Sequence, residues 1–244
     1  MDTKSFSLQL DAGRHLAELT LANPADSNRL SDQDIAALAT TIRTVGENRD
    51  VNLLVIRAQG DNFCSGRKPG PKPATPPDAF AVRDRVASTI MAFYASVRSA
   101  PIPVIGVVQG EASGFGCAFA AQCDITVASS NATFSLPELN HDFPPTLAMS
   151  ALLHKVPPKV LTRMVYTRCT LTAEQALQFG LISEVVAPNE LSAATERTIA
   201  ALADRSRLAL GTIKEYLSTA QHVDQTAAAK LAENMISVAI ASNA

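Results

Sequence analysis

The sequence predicts an α/β fold that carries an appended α-helical section. Short apolar or β-branched runs alternate with stretches of helical periodicity as far as Val186, and beyond it the pattern is helical alone. Hydrophobic residues make up 47% and charged residues 18% of the 244 positions, a balance that excludes intrinsic disorder. At roughly 150 residues per domain the length allows one or two units, and residues 1–186 and 187–244 are the natural division.

Ser5–Leu10 and His15–Leu21 read as two strands around the turn Asp11-Ala12-Gly13, with Ala17, Leu19 and Leu21 on one face. Ser31 and Asp34 form a capping box before Ile35, Leu38, Ile42 and Val45, which recur at helical spacing. Leu53–Arg57 is a candidate buried strand. Between Ala58 and Asp78 proline and glycine are too dense for helix or sheet, so a surface loop is expected there. Phe80–Arg98 is expected as one helix with Val82, Val86, Ile90, Phe93 and Val97 on one face, and Pro103–Val108 as a strand. Gly110–Ala118, running on to Val127, reads as strand, glycine turn, helix of small residues and strand. Pro158–Tyr166 and Thr172–Phe179 look helical, the second with an N-cap pair Thr172/Gln175 and a stop at Gly180. A strand at Leu181–Val186 precedes the final helices, with Leu208, Ile213 and Leu217 among their apolar residues.

The charges sum to −2 with no long run of one sign, so a nucleic-acid partner is not expected. No apolar stretch approaches the roughly 18–20 residues of a membrane helix, and Met1–Ser5 lacks the apolar core of a secretory signal, which makes the cytoplasm the default compartment. Cys64, Cys117, Cys123 and Cys169 show no zinc-ligand spacing and are expected as buried thiols; the four histidines form no metal motif either. No metal or redox cofactor is expected.

Gly114-Phe115-Gly116, after a strand and before a helix, presents free backbone N–H groups at a positive helix end. Such a turn suits a phosphate or an oxygen that becomes negative during reaction. It equally suits close packing of helix on sheet. A dinucleotide fingerprint fits poorly, because Phe119 stands at the third glycine position and no acid closes a strand about 20 residues on. A second turn, Phe63-Cys64-Ser65-Gly66-Arg67, follows the strand at Leu53–Arg57. A third segment, Phe134-Ser135-Leu136-Pro137-Glu138-Leu139, ends a short strand on a carboxylate.

In this order the segments resemble the crotonase superfamily (enoyl-CoA hydratase/isomerase family). FCSGR is similar to its first oxyanion turn, F-C-A-G-x-D, and GEASGFGCAFAAQCDI to its second, G-x-x-x-G-G-G-x-x-L-A-x-x-C-D-I. ATFSLPELNHDFPP resembles A-x-F-x-x-P-E-x-x-x-G-x-x-P, and LTAEQALQFGLISEVV the later stretch in which A-x-x-G-L-V follows a helix. The resemblance runs from about Ser5 to Ala239.

It implies a crotonase-like spiral of ββα repeats over 1–186, carrying the acyl-CoA site, with 187–244 as a helical trimerisation section and a homotrimer or homohexamer as assembly. It implies an acyl-CoA thioester substrate, with coenzyme A entering as part of that substrate and not as a cofactor. The carbonyl oxygen would lie between the backbone N–H groups of Arg67 and Phe115, with Ser65, Gly66, Gly114 and Gly116 shaping the two turns. Asn28-Arg29-Leu30 resembles the segment beside which the CoA moiety lies. Arg29, Arg67 and Lys68 are candidates for its phosphates or are solvated surface charges.

Hydratases of this family hold water with two carboxylates. The first position is Ala118 here; the second is Glu138. A lone carboxylate beside a polarised thioester suits moving a proton α or γ to the carbonyl through an enolate, as in the family's isomerases and hydratases. Partial burial would raise the Glu138 pKa toward the working range. The alternatives are a hydratase-lyase or hydrolase on an aromatic or alicyclic acyl-CoA, or a non-catalytic acyl-CoA-binding homologue. Asp142 and His141 could supply a second acid or base, or be solvated loop residues. Glu111 could reach the pocket or form an ion pair, the second being the expectation. Phe115, where the family has glycine, would narrow the acyl pocket. Tyr94, Tyr166 and Tyr216 are expected as half-buried packing residues, Tyr216 in the section that closes the acyl pocket in relatives. The stretch before Ala244 lacks the family's E-G-x-x-A-F helix, so closure over the ligand should differ.

Overall fold

A computed structural model describes residues 5–68, 70, 75 and 78–242 of the chain. Pro69, 71–74, Pro76 and Pro77 of the stretch expected as a surface loop lie outside them. The chain opens with an antiparallel pair, β1 (Phe6–Asp11) and β2 (Leu16–Leu21), in the register Phe6↔Leu21. Ala17, Leu19 and Leu21 are buried while Glu18 and Thr20 are partly exposed, the alternation a sheet with one core face requires.

Helix α1 (Asp32–Glu47) begins at the expected capping box: Ser31 Oγ accepts the Asp34 amide and the Asp34 carboxylate accepts the Ser31 amide. A cap of this kind is worth about 1 kcal/mol. Its apolar stripe, Ile35, Leu38, Ile42 and Val45, packs along a second helical stretch. That stretch follows β3 (Leu53–Ala58) and is not one regular helix. It runs as α2 (Ala79–Val82), a π-helical segment Arg83–Ala87, and α3 (Ser88–Ser99). The π segment breaks the 3.6-residue repeat. Ile90, Phe93 and Val97 therefore reach the core, whereas Val82 remains 42% exposed.

The next units are β4 (Val104–Val108), β5 (Glu111–Ser113) and α4 (Phe115–Gln122), then β6 (Ile125–Ser129) and β7 (Thr133–Ser135). Every residue of α4 is buried, which explains its run of small side chains. After them come α5 (Thr146–Leu152), α6 (Pro158–Thr167), β8 (Leu171–Thr172), α7 (Ala173–Gln178) and β9 (Glu184–Val186). Thr172 and Gln175 cap α7 reciprocally, as expected; α5 was not expected, since Thr146–Leu152 has no polar cap or strong periodicity to announce it. β9 is shorter than the apolar run Leu181–Val186.

The main sheet has the order β1-β2-β3-β4-β6-β9, parallel except for β1 on β2. A smaller sheet, β5-β7-β8, stands apart from it. Strand, short strand and helix recur in sequence, and the α/β expectation holds. The remaining chain is helical: α8 (Leu191–Ala203), α9 (Arg207–Ala220) and α10 (Gln225–Ser242). α8 covers the far face of the main sheet, where Ile199 joins Leu53, Val55, Ile105 and Val107.

α9 is fastened by two cationic arms, one buried at Lys214 and one partly buried at Arg207. Lys214 donates to the carbonyls of Val97 and Ile102 and pairs with Asp124 at 2.7 Å. Arg207 donates to the backbone carbonyls of Gly46, Asn48 and Val51. α10 packs on α9 alone among its larger contacts and buries no residue; Ile236, Val238 and Ile240 are exposed, as are Ile213 and Leu217 of α9.

Candidate active site

The turn Phe63–Arg67 is not a free loop. The Cys64 amide donates to the Glu111 carbonyl, and the Ser113 amide donates to the Cys64 carbonyl, each at 3.0 Å, so this turn adds a bridge to the edge of β5. On its other side the Leu30 amide donates to the Gly66 carbonyl and the Lys68 amide to the Leu30 carbonyl. That ladder leaves the Arg67 amide between two bonded neighbours and facing away from the Leu30 strand. Among the described residues it has no acceptor.

β5 runs directly into the second turn. Gly114 has φ +53° and ψ −115°, a conformation for which side-chain-bearing residues are strained, and it turns the chain so that Phe115 opens α4. The Phe115 amide, at the first helical position, likewise finds no acceptor among the described residues. The two turns are in contact. A Cβ on Gly116 would lie 1.9 Å from the Cys64 carbonyl oxygen, and one on Gly66 would lie 3.2 Å from the Ser113 carbonyl oxygen.

Glu138 arrives from the neighbouring strand. β7 pairs in parallel with β5, Ser113 opposite Ser135, and the Gly114 amide donates to the Ser135 carbonyl at 2.9 Å. Three residues on, a 3-10 turn Glu138–His141 brings the carboxylate back over the glycine, where a Cβ on Gly114 would lie 2.8 Å from Glu138 Oε1. Oε2 is buried without a hydrogen-bond partner among the described residues. Burial pushes the Glu138 carboxyl above its ordinary value; its own backbone amide pulls weakly the other way.

The Phe115 ring does not project into open space. It is 4% exposed and lies among Phe93, Tyr94 and Phe119, with ring centroids 5.1, 6.0 and 6.0 Å away. Burying such a ring contributes about 1.5–3 kcal/mol, so the substitution for glycine is accommodated by core packing. Ala118 is fully buried beneath this cluster.

The flanking expectations fare unevenly. Asn28 is 1% exposed and works as a backbone clasp: its amide nitrogen donates to the carbonyls of Gln59 and Asn62, and its oxygen accepts from Asn23. Leu30 is core. Arg29 and Lys68 both pair with Asp26, and Arg67 pairs with Asp32 at 2.6 Å, so each cation already has an acidic partner. The ion pair expected for Glu111 does not occur among the described residues. Its carboxylate accepts the Ser65 hydroxyl at 2.9 Å instead, because the Cys64 bridge places these two neighbours side by side. His141 and Asp142 are exposed; Asp142 takes φ +57° to end the turn. Tyr166 is 72% exposed and Tyr216 partly so. Tyr94 differs from the expected half-buried residue: it is 1% exposed and stacks on Phe115. The sequence held a signal for this: Tyr94 stands four residues after Ile90 and three before Val97, on the buried side of α3. Cys64, Cys117 and Cys123 are buried as expected, whereas Cys169 is only partly so. Two surface cavities of about 850 and 810 Å³ open beside α9; neither is lined by Glu138, Arg67 or Phe115.

Two contacting backbone turns with unengaged amides, beside one buried and unpaired carboxylate, form an arrangement that can polarise a carbonyl and move a proton next to it. The chain belongs to the enoyl-CoA hydratase/isomerase family, whose sequence model matches residues 11–244. It is 33% identical to human enoyl-CoA hydratase domain-containing protein 3, mitochondrial, over 82% of this chain and 64% of that protein. The alignment thus spans less than two thirds of that relative. The structure of an enoyl-CoA hydratase from Mycobacterium smegmatis superposes with a TM-score of 0.91 at 26% identity, covering 97% of this chain and 91% of the other. A Thermobifida fusca relative solved in complex with CoA gives a TM-score of 0.87 at 27% identity, covering 98% and 93%. No helix among the described residues is long and apolar enough to cross a membrane.

Proposed function

We propose that the protein processes an acyl-CoA thioester through an enolate, with Glu138 as its proton shuttle. The observation that carries this reading is the position of the Glu138 carboxylate against Gly114, at the second of two backbone turns that touch each other. In this reading the amides of Arg67 and Phe115 converge on the thioester oxygen. Removing a proton from the acyl chain moves an electron pair onto that oxygen, where two fixed donors await it. Losing one such donor typically costs about 10²–10³-fold in rate. Desolvation keeps Glu138 a strong enough base to take the proton and a strong enough acid to return it.

The CoA complex of the Thermobifida fusca relative supports the substrate class. The phosphates would exchange partners with Asp26 and Asp32 for Arg29, Arg67 and Lys68. The exposed apolar residues of α9 and α10 favour assembly with further copies, which this reading takes as a homotrimer or homohexamer. The test is deuterium exchange at the α carbon of acyl-CoA thioesters in heavy water. The wild type should exchange rapidly and Glu138→Gln should fall to background. Exchange unchanged in Glu138→Gln would falsify the role of this residue.

A further inference from the structure

The larger of the two cavities beside α9, about 850 Å³, lies at the end of the main sheet where β3 and β4 begin, whereas the turns of the candidate active site follow the ends where these strands leave it. Its walls come from the residue after the α1 cap, the end of α3 with the segment leading to β4, and one face of α9. They carry four cations, Arg49, Arg98, Arg207 and Lys214, against one acid, Glu215. The whole chain has a net charge of −2, so this positive concentration is local.

The fold accounts for two of the four. Lys214 pairs with Asp124, and the Arg207 guanidinium donates to the carbonyls of Gly46, Asn48 and Val51. Those neutral acceptors satisfy its N–H groups and leave its charge uncompensated. Burial and the neighbouring Arg49 guanidinium both push the Arg207 pKa down. Arg49 has no hydrogen bond or ion pair among the described residues, and Arg98 has only the neutral Gln122 oxygen at 3.4 Å. At the candidate active site, by contrast, Arg29, Arg67 and Lys68 each hold an acidic partner. The Thr212 hydroxyl also lines the cavity without a bond among the described residues, while those of Ser99 and Ser218 donate to their own helices.

Like charges gathered in one concave site repel, and the exposed Glu215 offsets a single one of them. A multivalent anion relieves the remainder, and guanidinium forks match phosphate oxygens in pairs. The cavity is larger than a bare phosphate and within the range of sites that hold small organic ligands.

We propose that this cavity is a second binding site, independent of the acyl-CoA reading, which takes a small phosphorylated molecule of multiple negative charge on Arg49, Arg98 and the Thr212 hydroxyl, with Arg207 behind them.

The probe is inorganic pyrophosphate, titrated calorimetrically against the full chain at low ionic strength. Wild-type binding should be saturable. Arg49→Gln/Arg98→Gln should weaken it about 10- to 100-fold. That variant should melt within about 2 °C of wild type in the absence of pyrophosphate, because neither side chain holds the backbone. Arg29→Gln/Lys68→Gln, beside the first turn, should bind as the wild type does. The proposal is overturned by a wild type without saturable binding, or by an Arg49/Arg98 variant of equal affinity. Loss confined to the Arg29/Lys68 variant also overturns it and assigns the anion to the candidate active site. So does a changed sedimentation of the Arg49/Arg98 variant when the wild type binds no pyrophosphate, which marks these arginines as a contact between copies. None of these outcomes touches the role of Glu138.

Discussion

The carbonyl oxygen of Cys64 occupies the place where the Cβ of any residue other than glycine at 116 would have to be, 1.9 Å away. Both partners are backbone held by neighbours, the carbonyl by the Ser113 amide and Gly116 by α4. Neither can yield cheaply. Gly116→Ala should destabilise the protein by about 2–3 kcal/mol, the upper range for overpacking, as read from urea denaturation. Activity should fall further than stability, because relief of the clash separates the two turns.

Gly114→Ala has a different signature. The methyl group would meet the end of a side chain, Glu138 Oε1 at 2.8 Å, on a backbone with φ +53°. The carboxylate can swing away. We expect a loss of about 1–3 kcal/mol from backbone strain, with α-proton exchange near background. A variant that exchanges normally would show that the carboxylate acts from elsewhere.

The pH dependence follows from the burial of Glu138. Its folded-state pKa is raised above 4.5, so the base form is lost on acidification through that raised value, and the acid limb of kcat/KM should lie above the range of an exposed glutamate. The stability sign is the reverse of an ion-paired carboxylate. The native state favours the proton more than the unfolded chain does, so the penalty is absent below pH 4.5 and fully present above the folded pKa. Glu138→Gln removes it. The variant should be no more stable than wild type in acid and more stable at neutral pH, a difference visible in denaturation at the two conditions.

Asn28→Ala should cost about 2–4 kcal/mol, since two backbone carbonyls and one amide lose their partner at once. The left-handed φ of +55° adds to this, asparagine tolerating it better than alanine. If Asn28 served the CoA moiety directly, KM would rise with little change in folding. Thermal melting and KM measured together separate the two roles.

How far the sequence carried the reading depends on where each signal was stored. Caps are local chemistry, and Ser31/Asp34 and Thr172/Gln175 were legible because four consecutive residues contain the whole interaction. The order of glycine turns and the carboxylate at 138 was legible for the same reason. The partner of Glu111 was not, because it depends on a single bridge between Cys64 and Ala112. Tyr94 had a local signal in its spacing of four from Ile90 and three from Val97, whereas α5 was hidden behind a start without a polar cap. Asn28 sits inside a stretch that matches a binding motif, yet its side chain is consumed by the backbone on either side.

The short sheet built on β5 carries the whole of the proposed chemistry. The first turn is bridged to it, the second is its continuation, and the acid hangs from the strand beside it. The spacing between the turns and the acid is therefore set by the bonds of this short sheet and not by the main sheet or the helices beyond Val186. Substitutions around this unit that leave those bonds in place should accordingly leave the separation of acid and turns unchanged.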